Sequence, residues 1–306
     1  MTLEKGSLAG KISRNEFLKT SSVGIMGAAI LPEVILSGRS SATTAVPAKI
    51  GFQLYTLRDQ IKTDIKGTLR RLSEIGFPGV ETAFWPEGIS VGDAGKLLKE
   101  FGLSVCSSHV ELPLNDQKAK MLEIAETFEC KRMIWHGWPE DIRYKTLDGI
   151  KQLAEVYNQS NQVAKSNGLQ FGLHNHWWEF MDKIGDKYAH QVLRDFIDED
   201  IFFEIDTYWV KVAGFDPAKI IGELGRRAPL LHIKDGPARW TDSIATDPEP
   251  MVAVGKGTQN FPAIVKAANG NTEWMIVEMD HTTGDVFTAI QDSYNFLTQN
   301  KLAVGK

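Results

Sequence analysis

Two cysteines in 306 residues, no hydrophobic run long enough to cross a bilayer and no surplus of positive charge set the first limits on this chain. Cys106 and Cys130 stand alone in apolar surroundings, at a spacing that matches no zinc or redox motif, so they are expected to be buried free thiols. The longest apolar segment, Val23 to Leu31, is too short for a transmembrane helix, and stable membrane insertion is not expected. A formal charge of -5 and a pI near 5.9 argue against a broad face that grips nucleic acid phosphates. Also missing are GxGxxG after a strand and GxxxxGK[ST]; the turn Gly255-Lys256-Gly257-Thr258 is a weak substitute for a phosphate loop.

What the chain does have begins with its leader. Lys5, Lys11, Arg14 and Lys19 precede the apolar segment, and a Ser/Thr/Ala-rich stretch from Ser37 to Ala48 follows it, which is the layout of an export signal. Ser13-Arg14-Asn15-Glu16-Phe17-Leu18-Lys19 resembles the twin-arginine motif, with Asn15 where the second arginine belongs. Residues 1–48 are therefore expected to be signal and linker, and the protein periplasmic or otherwise exported; a non-functional leader would leave it cytoplasmic.

From Lys49 onward short β-branched or aromatic runs alternate with amphipathic stretches. Strands are expected at Ile50 to Tyr55, Gly79 to Ala83, Ser104 to His109, Arg132 to His136, Gln170 to His176, Ile201 to Asp206, Leu230 to Lys234 and Trp274 to Glu278. Helices are expected between them, among others over Ile61 to Ile75, Leu147 to Asn167, Lys187 to Ile197 and Val286 to Gln299. Eight strand-helix units in residues 49–306 fit one (β/α)8 TIM barrel better than an open doubly wound sheet. The long irregular segment Asp235 to Gln259 would then lie over the C-terminal face, where barrel enzymes keep their reactive groups.

Polar residues end almost every apolar run: Glu81, His109 with Glu111, His136, then His174, His176 and Glu179, then Asp206, His232 with Lys234, and Glu278 with Asp280. A single such residue is ordinary, but a series at consecutive strand ends points to one site. Carboxylates mixed with imidazoles suit Mn, Zn, Co or Fe rather than thiolate-loving ions. Trp85, Trp135, Trp138, Trp177 and Trp209 could offer flat faces to a sugar ring or simply fill the rim.

Taken together, His174-Asn175-His176-x-x-Glu179-Phe180, Asp206-Thr207-Tyr208-Trp209, Leu231-His232-Ile233-Lys234-Asp235-Gly236 and Val277-Glu278-Met279-Asp280 resemble the sugar phosphate isomerase/epimerase family, the xylose-isomerase-like TIM barrels. Gln53-Leu54-Tyr55-Thr56-Leu57-Arg58 and Gly76-Phe77-x-Gly79-Val80-Glu81 belong to the same resemblance. It implies one divalent metal held from strands five to eight. Asp206, His232 and Glu278 match directly, and Glu179 competes with His174 for the strand-five place. It further implies an isomerase or epimerase working through an enediolate on a sugar or keto-sugar. Glu179 and Glu278 would be the proton-transfer pair beside His176 and Lys234, and Glu81, His109, His136, His174 and Trp209 would bind substrate. Elimination of the aglycone from a 3-keto-glycoside is the alternative outcome of the same intermediate. The endonuclease branch of the barrel, which would need a basic groove, and a non-catalytic sugar-binding barrel are the remaining readings. A homo-oligomer is compatible with the sequence.

Overall fold

The computed structural model describes residues 47–246 and 248–306; the leader-like segment lies outside them. Eight parallel strands close into a barrel: β1 (Lys49–Gln53), β2 (Gly79–Thr82), β3 (Ser104–Val110), β4 (Arg132–Trp135), β5 (Gln170–His174), β6 (Phe202–Asp206), β7 (Leu230–Ile233) and β8 (Trp274–Val277), each paired with its sequence neighbour and β8 with β1. This is the barrel expected from the sequence. The helices that cover it include α1 (Arg58–Ile75), α2 (Val91–Glu100), α3 (Gln117–Thr127), α4 (Leu147–Ser166), α5 (Ala189–Arg194), α6 (Thr207–Val212), α7 (Pro217–Leu224), α8 (Phe261–Ala268) and α9 (Val286–Gln299). No helix among the described residues is long and apolar enough to cross a membrane.

Strand parity builds the site, because residues two apart share a face. On β6, Phe203 and Ile205 pack outward with the helix layer, while Phe202, Glu204 and Asp206 belong to the inward set; on β7 the inward set is Leu230, His232 and then Lys234. The barrel interior is thereby layered. A small apolar cluster of Cys106, Ile134, Phe202, Leu230, Trp274 and Ile276 fills it below, and the polar layers follow toward the C-terminal ends of the strands. Gly172 makes room for this plug: a Cβ there would lie 2.3 Å from the Phe202 ring. Both cysteines are free and buried, as expected.

The differences from expectation fall at element ends. β1 stops at Gln53 because 54–57 wind into a 3-10 turn, and β5 stops at His174, with a second 3-10 turn at Trp178–Phe180. The helix expected over Lys187 to Ile197 narrows to α5 because Lys183–Ile184 and Lys187–Tyr188 pair antiparallel around Gly185-Asp186. A two-residue turn with a glycine at φ 66° is what such a hairpin needs.

The long 235–259 segment is held by one carboxylate. Asp235, 1% exposed, accepts from the backbone N–H groups of Gly236, Gly255, Gly257 and Gln259 at 2.9, 2.9, 3.0 and 3.1 Å. Gly257 is obligatory there, since a Cβ would fall 2.1 Å from Asp235 Oδ1. Asp235→Ala would strand these donors, three of them across the loop, and is expected to cost about 2–4 kcal/mol in thermal or denaturant unfolding. A change within about 0.5 kcal/mol would show that the loop is held by something else.

Candidate active site and metal centre

Above the apolar plug lies a largely buried polar layer. Glu81 and Glu204 are both fully buried. Glu81 accepts from Gln53 Nε2 at 2.6 Å and from the Ser107 hydroxyl, and lies 2.6 Å from His232 Nε2. Glu204 Oε2 lies 2.6 Å from His109 Nε2, 3.1 Å from His174 Nδ1 and 3.2 Å from His232 Nε2. Burial, and then the neighbouring Glu204 carboxylate, push the Glu81 carboxyl up to about 7. Two carboxylates thus sit against one nitrogen of His232, which orients the ring and leaves its other nitrogen facing upward into the next layer.

That layer gathers Asp206, His232 and Glu278, whose donor atoms all lie within 4.8 Å of one another. His232 Nδ1 is 2.7 Å from Glu278 Oε2 and 3.9 Å from Asp206 Oδ2. Asp206 is also the N-cap of α6: its Oδ1 accepts from Tyr208 N–H at 2.9 Å and Trp209 N–H at 3.0 Å, which fixes the side chain and leaves Oδ2 for the site. Asp206 Oδ2, His232 Nδ1 and Glu278 Oε2 are buried and close together without hydrogen-bond geometry, the two oxygens within 3.0 Å of the Lys234 ammonium. Short separations without hydrogen-bond direction are what ligands of a common ion show. Two groups each ~2.0–2.2 Å from an ion can be no more than roughly 4.4 Å apart, and both measured separations satisfy that limit. The donor set, two carboxylate oxygens and an imidazole nitrogen, suits a borderline divalent cation.

Lys234 completes the cluster, its ammonium 3.0 Å from Asp206, 2.9 Å from Glu278 and 2.8 Å from Asp280. Only the Asp280 contacts, at 2.9 and 2.8 Å, have hydrogen-bond geometry. Burial opposes the charge on Lys234, but Asp206, Asp280 and Glu278 hold its pKa well above the ordinary value. Burial likewise opposes charge on Glu278, yet Lys234 and His232 keep its carboxyl below the usual range. His232 is driven the same way: burial disfavours its charge, and the carboxylates around it raise its pKa well above ordinary.

A cavity of about 960 Å³ opens over this floor, with His109, His136, His174, His176, Lys234 and Glu278 among its lining residues. His174 and His176 are held neutral, first by burial and then by neighbouring positive groups. His176 stacks on Trp178, ring centroids 4.3 Å apart, and its Nδ1 has no partner. His136 Nδ1 accepts from Trp138 N–H at 3.1 Å, which places the ring proton on Nε2 toward Glu111 at 3.4 Å. Trp209, 3% exposed, lines the wall with Trp85, Trp138 and Trp177, whereas Trp135 stands behind, against His136.

Four of the expected site residues do not line this cavity: Asp206 and His232 lie fully buried beneath it, next to the lining residues Glu278 and Lys234, and Glu81 and Glu179 lie outside that cluster. Glu81 is fully buried beneath it. Glu179 is turned away by the 3-10 turn at 178–180: its Oε2 accepts from His176 N–H at 2.9 Å, and it lines a separate cavity of about 40 Å³ with Tyr144 and His190. Burial raises its carboxyl to about 8. Glu179 thus does not stand with Asp206, His232 and Glu278, whereas His174, the competing strand-five residue, lies with His109, Glu204 and His232 in a second group whose donor atoms are all within 4.8 Å of one another and that could hold a metal ion. Glu204 and Gln53 join the site without having been expected there from the polar residues at the strand ends. The signal for Glu204 was its place two residues before Asp206 on the same strand face. Asp280 gains a defined part as the hydrogen-bonded anchor of Lys234.

A family model described as "Xylose isomerase-like TIM barrel" matches residues 69–300. The chain belongs to that family. Among solved structures it is similar to a sugar phosphate isomerase/epimerase from Parabacteroides distasonis, with 25% identity over 84% of this chain and 100% of the other and a TM-score of 0.69. An L-ribulose 3-epimerase shares the fold at 16% identity, over 82% and 94% of the two chains, with a TM-score of 0.59. A family 2 AP endonuclease from Brucella melitensis does so at 13%, over 83% and 99%, with a TM-score of 0.58. No curated protein matches the chain.

Glu204→Gln keeps the shape of the side chain but removes the charge from beside His232 Nε2. Metal affinity is expected to fall about 10- to 100-fold, as when other partners of ligating histidines are lost. Calorimetric titration with Mn or Co checks this, and unchanged affinity would remove Glu204 from the account.

Proposed function

We propose that this barrel is a divalent-metal-dependent isomerase or epimerase that moves a proton at carbon next to the carbonyl of a sugar or keto-sugar, through an enediolate. The observation that carries the reading is the convergence of three buried donor atoms, Asp206 Oδ2, His232 Nδ1 and Glu278 Oε2, beneath a cavity of about 960 Å³. A bound Mn, Zn, Co or Fe ion would supply Lewis-acid polarisation of the carbonyl and its neighbouring hydroxyl. Glu278, paired with the Lys234 ammonium, accepts the proton from carbon. The Lys234 ammonium faces the negative charge that develops on oxygen. His136 and His176, at the ends of β4 and β5 and thus across the barrel from β8, hydrogen-bond the substrate hydroxyls and can relay a proton on the other side. In this role His176 replaces Glu179, which does not reach the cavity.

Expulsion of a β-substituent from the same enediolate gives a lyase acting on a 3-keto-glycoside, and the width of the cavity favours keeping this second outcome. The similarity to a sugar phosphate isomerase/epimerase and to an L-ribulose 3-epimerase supports the chemistry at carbon. The endonuclease reading gains only the shared fold, since the cavity offers no row of free cations among the described residues. An exported protein would meet free sugars and glycosides more than phosphorylated ones. Purified protein loaded with Mn or Co and mixed with keto-sugars and keto-glycosides tests the reading by product analysis: an isomer or epimer supports the first outcome, a released aglycone the second. Neither product from any member of the panel would contradict both.

A further inference from the structure

The lining of the cavity is divided by sector. In a closed barrel of eight strands, β2 and β3 stand across the axis from β6 and β7, which carry Asp206 and His232. The segments that follow β2 and β3 contribute Phe84, Trp85, Ile89, Val91, Met121 and Ile124, an apolar stretch of wall opposite the polar floor, with the exposed Glu111 and Lys120 as its charged members. Trp85 is braced there by Phe128, ring centroids 5.9 Å apart, and Phe84 by Tyr55 at 5.6 Å. Ile89, Val91, Met121 and Ile124 offer the hydroxyls of a second sugar ring no side-chain hydrogen-bond partner. The volume points the same way, since about 960 Å³ lies at the upper end of the roughly 300–1,000 Å³ typical of pockets for drug-sized ligands, well beyond one hexose.

The charges argue against a phosphate. Among the described residues the cations lining the cavity are Arg58, Lys120 and Lys234. Arg58 donates to the carbonyls of Tyr55 and Asp280 at 3.0 and 3.1 Å and lies over the Tyr55 ring, and Lys234 is shared by three carboxylates. Lys120 alone stands at the exposed mouth, and a dianion would have to enter past Glu111 toward Glu278 and Asp280.

We propose that the substrate is an uncharged keto-glycoside, its keto-sugar over the floor of Asp206, His232 and Glu278 and an apolar, ring-sized aglycone against Trp85, Ile89, Met121 and Ile124; simple glycosides serve as unreactive probes of the same two sectors. This rests on the sugar-binding part of the proposed function and narrows it to two-part, unphosphorylated molecules. Ile89 and Ile124 set the room for the aglycone and take no part in the chemistry.

Binding can be read without turnover. Calorimetry on the full chain, metal-loaded and chelated, would compare methyl with phenyl β-glycosides of glucose, galactose and xylose, and glucose with glucose 6-phosphate. For at least one sugar the phenyl glycoside is expected to bind at least tenfold tighter than the methyl one, about 1.4 kcal/mol, and glucose 6-phosphate no tighter than glucose. Ile124→Trp, or Ile89→Trp should the first variant fold poorly, fills the apolar sector and should bring phenyl and methyl affinities within about twofold of each other. Equal affinities in every wild-type pair, no detectable phenyl glycoside binding, a preference that survives both variants, or tighter binding of the phosphate would overturn the proposal. A phenyl preference that persists while metal-dependent proton exchange fails would instead overturn the isomerase reading and leave the aglycone sector standing.

Discussion

Asp206→Asn is expected to abolish metal loading and leave the fold intact. The side chain has two separable duties. Its Oδ1 caps α6 through Tyr208 and Trp209, and asparagine serves about as well as aspartate at an N-cap. Its Oδ2 is the oxygen that faces His232 and Lys234, and there the loss of charge leaves Lys234 with Glu278 and Asp280 only. Metal affinity should fall by more than roughly 100-fold, beyond the loss expected for a residue that acts only behind a ligand, while thermal unfolding of the chelated protein moves little. Metal content per chain, measured after dialysis against Mn or Co, reads the first effect and calorimetry the second. Metal content equal to wild type would remove Asp206 from the ligand set.

Glu179→Gln should do the reverse. Burial raises the folded carboxyl from its ordinary 4.5 to about 8, so the folded state prefers the protonated form. The sign follows: wild-type stability from this group is full below about pH 4.5, declines as pH rises, and is lost by about pH 8 and above. Glutamine keeps an oxygen for His176 N–H and never ionises. At pH 9 the variant is expected to be more stable than wild type, by on the order of a few kcal/mol, and at pH 4 the two should unfold alike. Metal binding should be unchanged. A variant that loses metal would instead make Glu179 the strand-five ligand, and the absence of any pH-dependent gap would deny its buried charge.

These two carboxylates show what the sequence could and could not carry. The barrel was legible because its evidence is local and repeated: short apolar runs, amphipathic stretches between them and polar residues closing the runs. That Asp206, His232, Glu278 and Lys234 cluster was legible the same way, since residues at the C-terminal ends of inward-facing strands converge on the barrel axis. Glu179 lies five residues beyond the end of β5, where the parity of the strand no longer applies, and a 3-10 turn decides its direction. Glu81 does end an apolar run, but its burial depends on His232, 151 residues away, a pairing no local pattern announces. Glu204 was within reach: the reasoning that puts His174 and His176 on one face puts Glu204 with Asp206. The hold of Asp235 on Gly255, Gly257 and Gln259 closes a loop of more than twenty residues, and glycines there suggested a turn without naming its partner.

The central claim is that Asp206, His232 and Glu278 hold an ion that makes carbon-bound protons exchangeable. Solvent deuterium incorporation into a panel of keto-sugars and keto-glycosides, followed by NMR or mass spectrometry with metal-loaded protein, after chelation and after metal is restored, tests it most directly. Exchange next to the carbonyl that disappears on chelation, returns with Mn or Co and stays absent in Asp206→Asn is the result expected. Exchange that persists in chelated protein, or none from any substrate with metal bound, would contradict it.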